Sequence, residues 1–392
     1  MLRTPPFLAT ILRRPQLAQY VKTLAFNADY FYKYPKVVID SFNGIQHEIK
    51  AGLSRICGDD DDEVREWYNN LHHSPDAITA LVIIFLPNLS TLNLPYYPGI
   101  DNPLYPEYTP RVLSQASRPP TYDVPRPFRL DQLRNLDVGA SSLGLCSWTF
   151  VEPLLQLRSL RCLRCSGLSL EDKDISSIEK TISHITHFEL ELSRISPAAL
   201  IQLLKSCPNL SHFSYLYHKG PDDEAFGPAT IRDGLMHLKD SLQELMLFNP
   251  DEEDGNFNML WPLGSLAGFR KLQRLRASMR TLVGHEAAQA TPGTFENGNG
   301  ESNSGTLQPL REQAISFVES LPESLQELAI QNCEDTVYTV LGVLFESIRK
   351  GKLQNLTIMR LPRRIGMKIE TKEAIRCAEE GKALGICVRY IL

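Results

Sequence analysis

The chain has 392 residues, 43% of them hydrophobic and 22% charged, with a formal net charge of −5 and a pI near 6.0. This balance is that of a globular protein and excludes the low-hydropathy, high-charge composition of a disordered chain. It also argues against nucleic acid as the main partner, since phosphate binding asks for a dominant basic surface. Eight cysteines without a dense framework fit a reducing compartment, where they serve as small buried hydrophobes.

In chain order, the start (Met1-Leu2-Arg3-Thr4-Pro5-Pro6) lacks the apolar stretch and small-residue cleavage site of a signal peptide, so an intracellular protein, cytoplasmic or nuclear, is expected. The acidic run Asp59 to Glu63 has neither the alternating ligands nor the central glycine of a calcium loop; carboxylates suit the start of a helix running from Val64 to Leu71 and closed by His72-His73. Ala77 to Leu86 is the longest apolar run, about half of the roughly 20 residues a membrane span needs, and reads as a buried helix. No membrane association is expected. Tyr96 to Phe128 carries Pro98, Pro103, Pro106, Pro110, Pro119, Pro120, Pro125 and Pro127, which predicts an insertion without regular structure (residues 96–128).

Further along, a 3.6-residue apolar period predicts helices over Asp174 to Ile185, Ile231 to Leu238, Leu310 to Leu321, Val337 to Ile348 and Thr371 to Glu380. Ser196-Pro197 opens another, with a capping residue and a first-turn proline ahead of Leu200, Leu203 and Leu204. Gly284 to Thr306 is too polar and glycine-rich to pack, which predicts a disordered loop (residues 284–306). Ala383 to Leu392 is expected to form the last strand, beside Leu356 to Met359.

One spacing recurs through all of this. In Leu203-Leu204-Lys205-Ser206-Cys207-Pro208-Asn209-Leu210-Ser211-His212-Phe213-Ser214-Tyr215 an apolar residue is followed by two variable ones, an apolar residue, one variable and another apolar. This is the L-x-x-L-x-L signature of a leucine-rich repeat. Its middle apolar residue falls at Leu24, Leu92, Leu136, Leu163, Phe188, Phe213, Leu245, Leu275, Leu328, Leu356 and, weakly, Ile386. Spacings of 25 to 32 residues leave room for a helix in each unit, and larger gaps of 68, 44 and 53 residues follow Leu24, Leu92 and Leu275. The expected fold is therefore α/β, one leucine-rich repeat solenoid over residues 1–392: an open curved array with a parallel sheet on the concave side and helices on the convex side.

The residues on either side of each marker face outward, onto the concave surface. His187 is expected beside His212, and with Glu189 and Glu191 these form an acidic, pH-sensitive patch. Arg274, Arg276 and Arg280 form a basic patch further on. Segregated charge on such a surface suits recognition of a complementary protein. In Cys162-Leu163-Arg164-Cys165 the second cysteine points inward and the first outward, so the pair is structural and no metal site is expected. No P-loop, dinucleotide fingerprint, H-E-x-x-H or G-x-S-x-G occurs, and neither catalysis nor a cofactor is expected.

The run Phe188-x-Leu190-x-x-Ser193-x-Ile195-Ser196-Pro197, continuing through Leu200 and Leu203-Leu204 to Cys207-Pro208-Asn209-Leu210, resembles the cysteine-containing repeats of F-box proteins, with Ser193 in the first cysteine position. The opening Phe7 to Phe26 looks like the start of the repeat region in fungal F-box and related leucine-rich proteins. The resemblance implies a substrate-recognition or adaptor domain of a ubiquitin ligase receptor. Its F-box module, a helical unit of some 40–50 residues that docks on the Skp adaptor of a cullin ligase, is not visible ahead of the repeats, so Skp and cullin are partners only if such a module is present. A stand-alone repeat scaffold for a regulatory protein, and an enzyme with dispersed catalytic groups, are the alternatives.

Overall fold

The structure, a computed structural model, describes residues 4–26, 44–58, 60–71, 74–96, 108–117, 130–140, 145–217, 228–248, 262–284, 307–332, 336–362 and 372–391. The chain divides into two compact units, Met1–Ser169 with Lys180–Ile185, and Leu170–Glu179 with Thr186–Leu392.

In the first unit, β1 (Thr23–Ala25), β2 (Thr91–Tyr96) and β3 (Asn135–Ala140) pair in parallel, and β3 pairs with β5 (Cys162–Ser166). The short β4 (Cys146–Ser147) pairs with β6 (Leu168–Leu170) beside them. Leu24, Leu92, Leu136 and Leu163 stand in one register and are buried. In the second unit, β7 (His187–Ile195), β8 (His212–Tyr217), β9 (Glu244–Phe248), β10 (Arg274–Ser278), β11 (Glu327–Gln331), β12 (Ile358–Pro362) and β13 (Cys387–Ile391) follow one another in a parallel sheet. Parallel neighbours need a crossover, and helices such as Pro197–Lys205, Pro228–Leu235, Val337–Arg349 and Lys372–Ala383 supply it. Both units therefore have the α/β repeat architecture that the spacing predicts.

A backbone device fixes the register. The carbonyl of Gln243, just ahead of β9, accepts from both Gln273 and Arg274 at the start of β10; that of Gln273 accepts from Gln326 and Glu327, and that of Gln326 from Thr357 and Ile358. Lys22, Ser90 and Arg134 do the same in the first unit. A carbonyl has two lone pairs, so each strand entry is held by one acceptor of the preceding repeat.

Two markers are corrected by this register. Leu328 pairs with Met359, which in turn pairs with Val388, so Leu356 and Ile386 are not the strand positions. The segment offers two overlapping signatures, Leu353-x-x-Leu356-x-Ile358 and Leu356-x-x-Met359-x-Leu361, and the fold uses the second. Leu356 takes the buried place before the strand that Leu325, Leu272 and Leu242 take in their repeats. The last strand does pair beside β12, from Cys387 to Ile391.

The local chemistry behind the helices is legible. Ser196 accepts from the Ala199 N–H at 3.3 Å with Pro197 in the first helical position, and Ser74-Pro75 repeats the device ahead of the buried helix Pro75–Ile84. The acidic run does start a helix, Asp61–Asn70, in which Asp60 accepts from the Glu63 N–H at 3.0 Å. His72-His73 lies outside the described residues.

Two helix assignments change. Asp174 to Ile185 is helical only over Ile175–Ile178; from Thr181 to Ile185 burial alternates, with Thr181, Ser183 and Ile185 inside and Ile182 and His184 outside, a period of two that ends the helix. The proline-rich stretch holds a helix, Tyr108–Ser117, with Val112, Leu113 and Ala116 buried. Pro110 sits in its first turn, where no backbone donor is lost, and no further proline follows until Pro119. The rest of that stretch between 97 and 129, and Gly284 to Thr306 apart from Gly284, lie outside the described residues.

In the 68-residue gap, the helices Gln46–Cys57 and Asp61–Asn70 pack on each other, while Pro75–Ile84 packs against Tyr108–Ser117 as the helix of its own repeat.

Candidate functional site

The outward rows of the second unit follow from its register. The residues before the markers run His187, His212, Glu244, Arg274, Glu327, Ile358, Cys387; those after run Glu189, Ser214, Met246, Arg276, Ala329, Arg360, Arg389. A third row begins Glu191, Leu216, Phe248 and reaches Gln331. Phe188, Phe213, Leu245, Leu275, Leu328 and Met359 between them are buried, so the strands present one apolar and one largely polar side.

His187 and His212 stack as neighbours, with ring centroids 3.9 Å apart and planes 10° from parallel. Each is tied at Nδ1 to the hydroxyl one residue earlier, Thr186 Oγ1 at 2.9 Å and Ser211 Oγ at 2.8 Å. Arg274 donates to His212 Nε2 at 3.3 Å and pairs with Glu244 at 2.5 Å. A guanidinium has no acceptor, so Nε2 of His212 is unprotonated and its Nδ1–H donates to Ser211. Burial, then the second imidazole, hold His212 below its ordinary pKa against the opposing pull of Glu244.

The acidic and basic patches are therefore linked: Arg274 reaches both His212 and Glu244, a carboxylate that the sequence did not single out. Glu189 is exposed and Glu191 half-buried on the strand of His187. Arg276 reaches the side-chain carbonyl of Gln331 through Nε at 2.8 Å and Nη2 at 2.6 Å. Arg280 lies off the strand rows, in the short helix Met279–Val283.

The register correction brings in two further cations. Arg360, paired with Glu327 at 2.5 Å, and the exposed Arg389, whose Nε lies 3.4 Å from Cys387 Sγ, follow Arg276 along one row. Counting from Met359 and Val388 would have found them. The outward rows of the first unit contrast in being mainly uncharged: Asn93 donates to Asp137 at 3.2 Å and Asn135 to Thr91 Oγ1 at 3.2 Å.

Cys165 is buried and Cys162 only partly so, as their places in the repeat require, and burial drives the Cys165 thiol well above its ordinary pKa. Cys207 is buried at the end of its helix; Cys333 lies outside the described residues. Among the described residues, no group of three or more His, Cys, Asp or Glu side chains is placed to hold a metal, and no helix is long and apolar enough to cross a membrane.

Stacked strand–helix units with a polar, ligand-accessible strand face define a repeat protein of the binding type. Residues 3–292 match the leucine-rich repeat domain family, and the chain belongs to it. Comparison with curated proteins gave no match. Leucine-rich repeat domains are generally non-catalytic modules that bind protein partners.

Proposed function

We propose that this chain is a non-enzymatic scaffold that binds a protein across the outward strand face of its second unit. The observation that carries the reading is the concentration of charge there, with His187, Glu189, Glu191 and His212 on one flank and Arg274 and Arg276 on the other, around a fixed sheet. Charge arranged in this way governs encounter rate and orientation more than raw affinity. Arg280 belongs to the basic side through its neighbourhood in sequence, at the end of β10. The finer reading is the substrate-recognition part of an F-box-type ubiquitin ligase receptor. It rests on the cysteine-containing repeat pattern around Ser196-Pro197 and Cys207-Pro208, whose capping serine and buried cysteine serve packing roles.

Affinity purification of the tagged chain from cells tests both levels. Reversal of Arg274 and Arg276 to Glu should release the copurifying protein while the chain still unfolds cooperatively, with no more than the small loss of stability that a surface ion pair carries. Equal loss from reversals on the helix side, with none from this pair, places the interface elsewhere. Copurification of Skp and cullin subunits supports the ligase reading, and a stable partner without them leaves a scaffold for a regulatory protein.

A further inference from the structure

We infer that the second unit binds an acidic peptide segment carrying a large apolar side chain, with the acidic part on the row Arg276, Arg360, Arg389 and the apolar side chain on Leu216, Met246 and Phe248. This rests on the proposed binding role of the strand face and names the chemistry of what binds.

The first observation is a charge excess. Four arginines, Arg274, Arg276, Arg360 and Arg389, occupy neighbouring outward positions on β10, β12 and β13. Two are matched by carboxylates, Arg274 by Glu244 and Arg360 by Glu327, each at 2.5 Å. Arg276 is held by the neutral carbonyl of Gln331, and Arg389 lies against a thiol. The holding group of Arg276 thus orients a guanidinium without cancelling its charge, and a guanidinium has five N–H donors, more than one carbonyl can take. This excess stands on a chain whose net charge is −5, so it is local and not a reflection of composition.

The second observation is the neighbour of this row. Met246 is in register with Arg276, and Phe248 lies two residues further along β9, opposite Leu216 on β8. All three point to the outward side and are half-buried, although the sheet's core lies on the other side. Methionine, an aromatic ring and arginine together are the composition enriched where proteins meet. Between Arg276 and Arg360 the row carries Ala329, a methyl group that is only 2% exposed. Adjacent strands are about 4.8 Å apart, so Arg276 and Arg360 stand two strands apart and a carboxylate between their guanidinium heads lies within reach of both long side chains.

The third observation sets the direction. Glu189 and Glu191 stand on the far side of the apolar group from the arginines, in register with Ser214 and Leu216. The arginines lie on the β12 and β13 side and the apolar group on the β8 and β9 side, so the segment lies with its acidic end toward β12 and β13 and its apolar side chain toward β8 and β9.

Panning a phage-displayed random-peptide library on the immobilised full chain tests this. The recovered peptides should combine Asp or Glu with one large apolar residue. A labelled peptide of that consensus should bind at least about tenfold more weakly to the Arg276→Ala/Arg389→Ala double variant, as expected for lost charge-assisted hydrogen bonds. The exposed Arg389→Glu alone gives the same sign of effect if the double variant does not fold. Recovery of basic or uncharged peptides that Met246→Asp abolishes overturns the acidic assignment and leaves the scaffold reading standing. Peptides indifferent to every strand-face variant, or an empty selection, overturn the inference, and the first of these overturns the proposed interface too. Displacement of the peptide by single-stranded DNA of higher affinity assigns the arginine row to nucleic acid and overturns it as well.

Discussion

Asp76 is a buried carboxylate whose substitution separates two physical effects. It lies in the first turn of the helix Pro75–Ile84, 9% exposed, and its oxygens accept from the backbone N–H of Tyr108 at 2.6 Å and of Thr109 at 3.1 Å. These are unpaired donors of the helix Tyr108–Ser117, so one helix caps the next from across the repeat. Burial nevertheless pushes its pKa above the usual carboxylate value, more than the Thr109 and Tyr108 hydrogen bonds pull it down. Asp76→Ala leaves two buried N–H groups without an acceptor, at about 1–3 kcal/mol each, and removes the cost of the buried charge; a net loss of about 2 kcal/mol at neutral pH is expected. Asp76→Asn keeps an oxygen for the same donors and removes only the charge, so its stability should stay within about 1 kcal/mol of the parent chain at neutral pH.

The pH dependence gives the decisive sign. A carboxyl group whose folded pKa is raised contributes stability that is fully present below its unfolded pKa, near 3.8, and is lost as pH rises through the folded value. The parent chain should therefore lose stability relative to Asp76→Asn as pH rises from acid toward neutral, because the amide does not titrate. Urea unfolding of both chains over a pH series measures the difference. If the advantage of the parent chain grows as pH rises, the ionised carboxylate is the stabilising form and the reasoning is refuted.

Three further outcomes are expected. Ser196→Ala removes the acceptor for the Ala199 N–H and the hydroxyl that donates to Asp172 at 2.5 Å, and should lower stability by about 1 kcal/mol in chemical denaturation; Ser196→Thr, which keeps the hydroxyl, should recover most of it. Deleting residues 384–392 removes β13 from β12 and uncovers Met359 and Leu361, so melting temperature and solubility should both fall, and an unchanged melting temperature contradicts the pairing. The third concerns His212, whose lowered pKa means that folding favours its neutral form; the stability it contributes is present above 6.5 and is lost as pH falls through the folded value. Facing it are His187, Glu244 and Arg274, so His212→Gln should flatten the acid-side loss of stability, and an NMR titration of His212 at or above 6.5 would show that Glu244 dominates instead.

Nine of the eleven repeat markers were legible because a buried strand position tolerates little but Leu or Phe, and the signature around Leu203 to Tyr215 is complete. The Ser-Pro helix start at Ser196 was legible for a local reason, since a cap and a first-turn proline act within one turn. The helix at Tyr108–Ser117 was hidden because proline counts over a long window mask a proline-free stretch of eight residues between Pro110 and Pro119. Asp76 was hidden as well, since its partners are 32 and 33 residues away and no local pattern marks a cap supplied from another helix.

The composition of the candidate site turned on a different kind of ambiguity. Between Leu353 and Leu361 two signatures overlap, three residues apart, and an odd shift along a strand exchanges its two faces. Taken from Leu356, the outward residues are Asn355 and Thr357; taken from Met359, they are Ile358 and Arg360, and Arg389 follows in the next strand. What decides between them is the Gln326 carbonyl, which accepts from Thr357 and Ile358 just as Gln273 accepts from Gln326 and Glu327. That is a contact between repeats, made by backbone atoms that every residue has, so no side-chain pattern in the last two repeats could encode it. The basic row that the binding inference rests on therefore becomes visible only once the strands are paired.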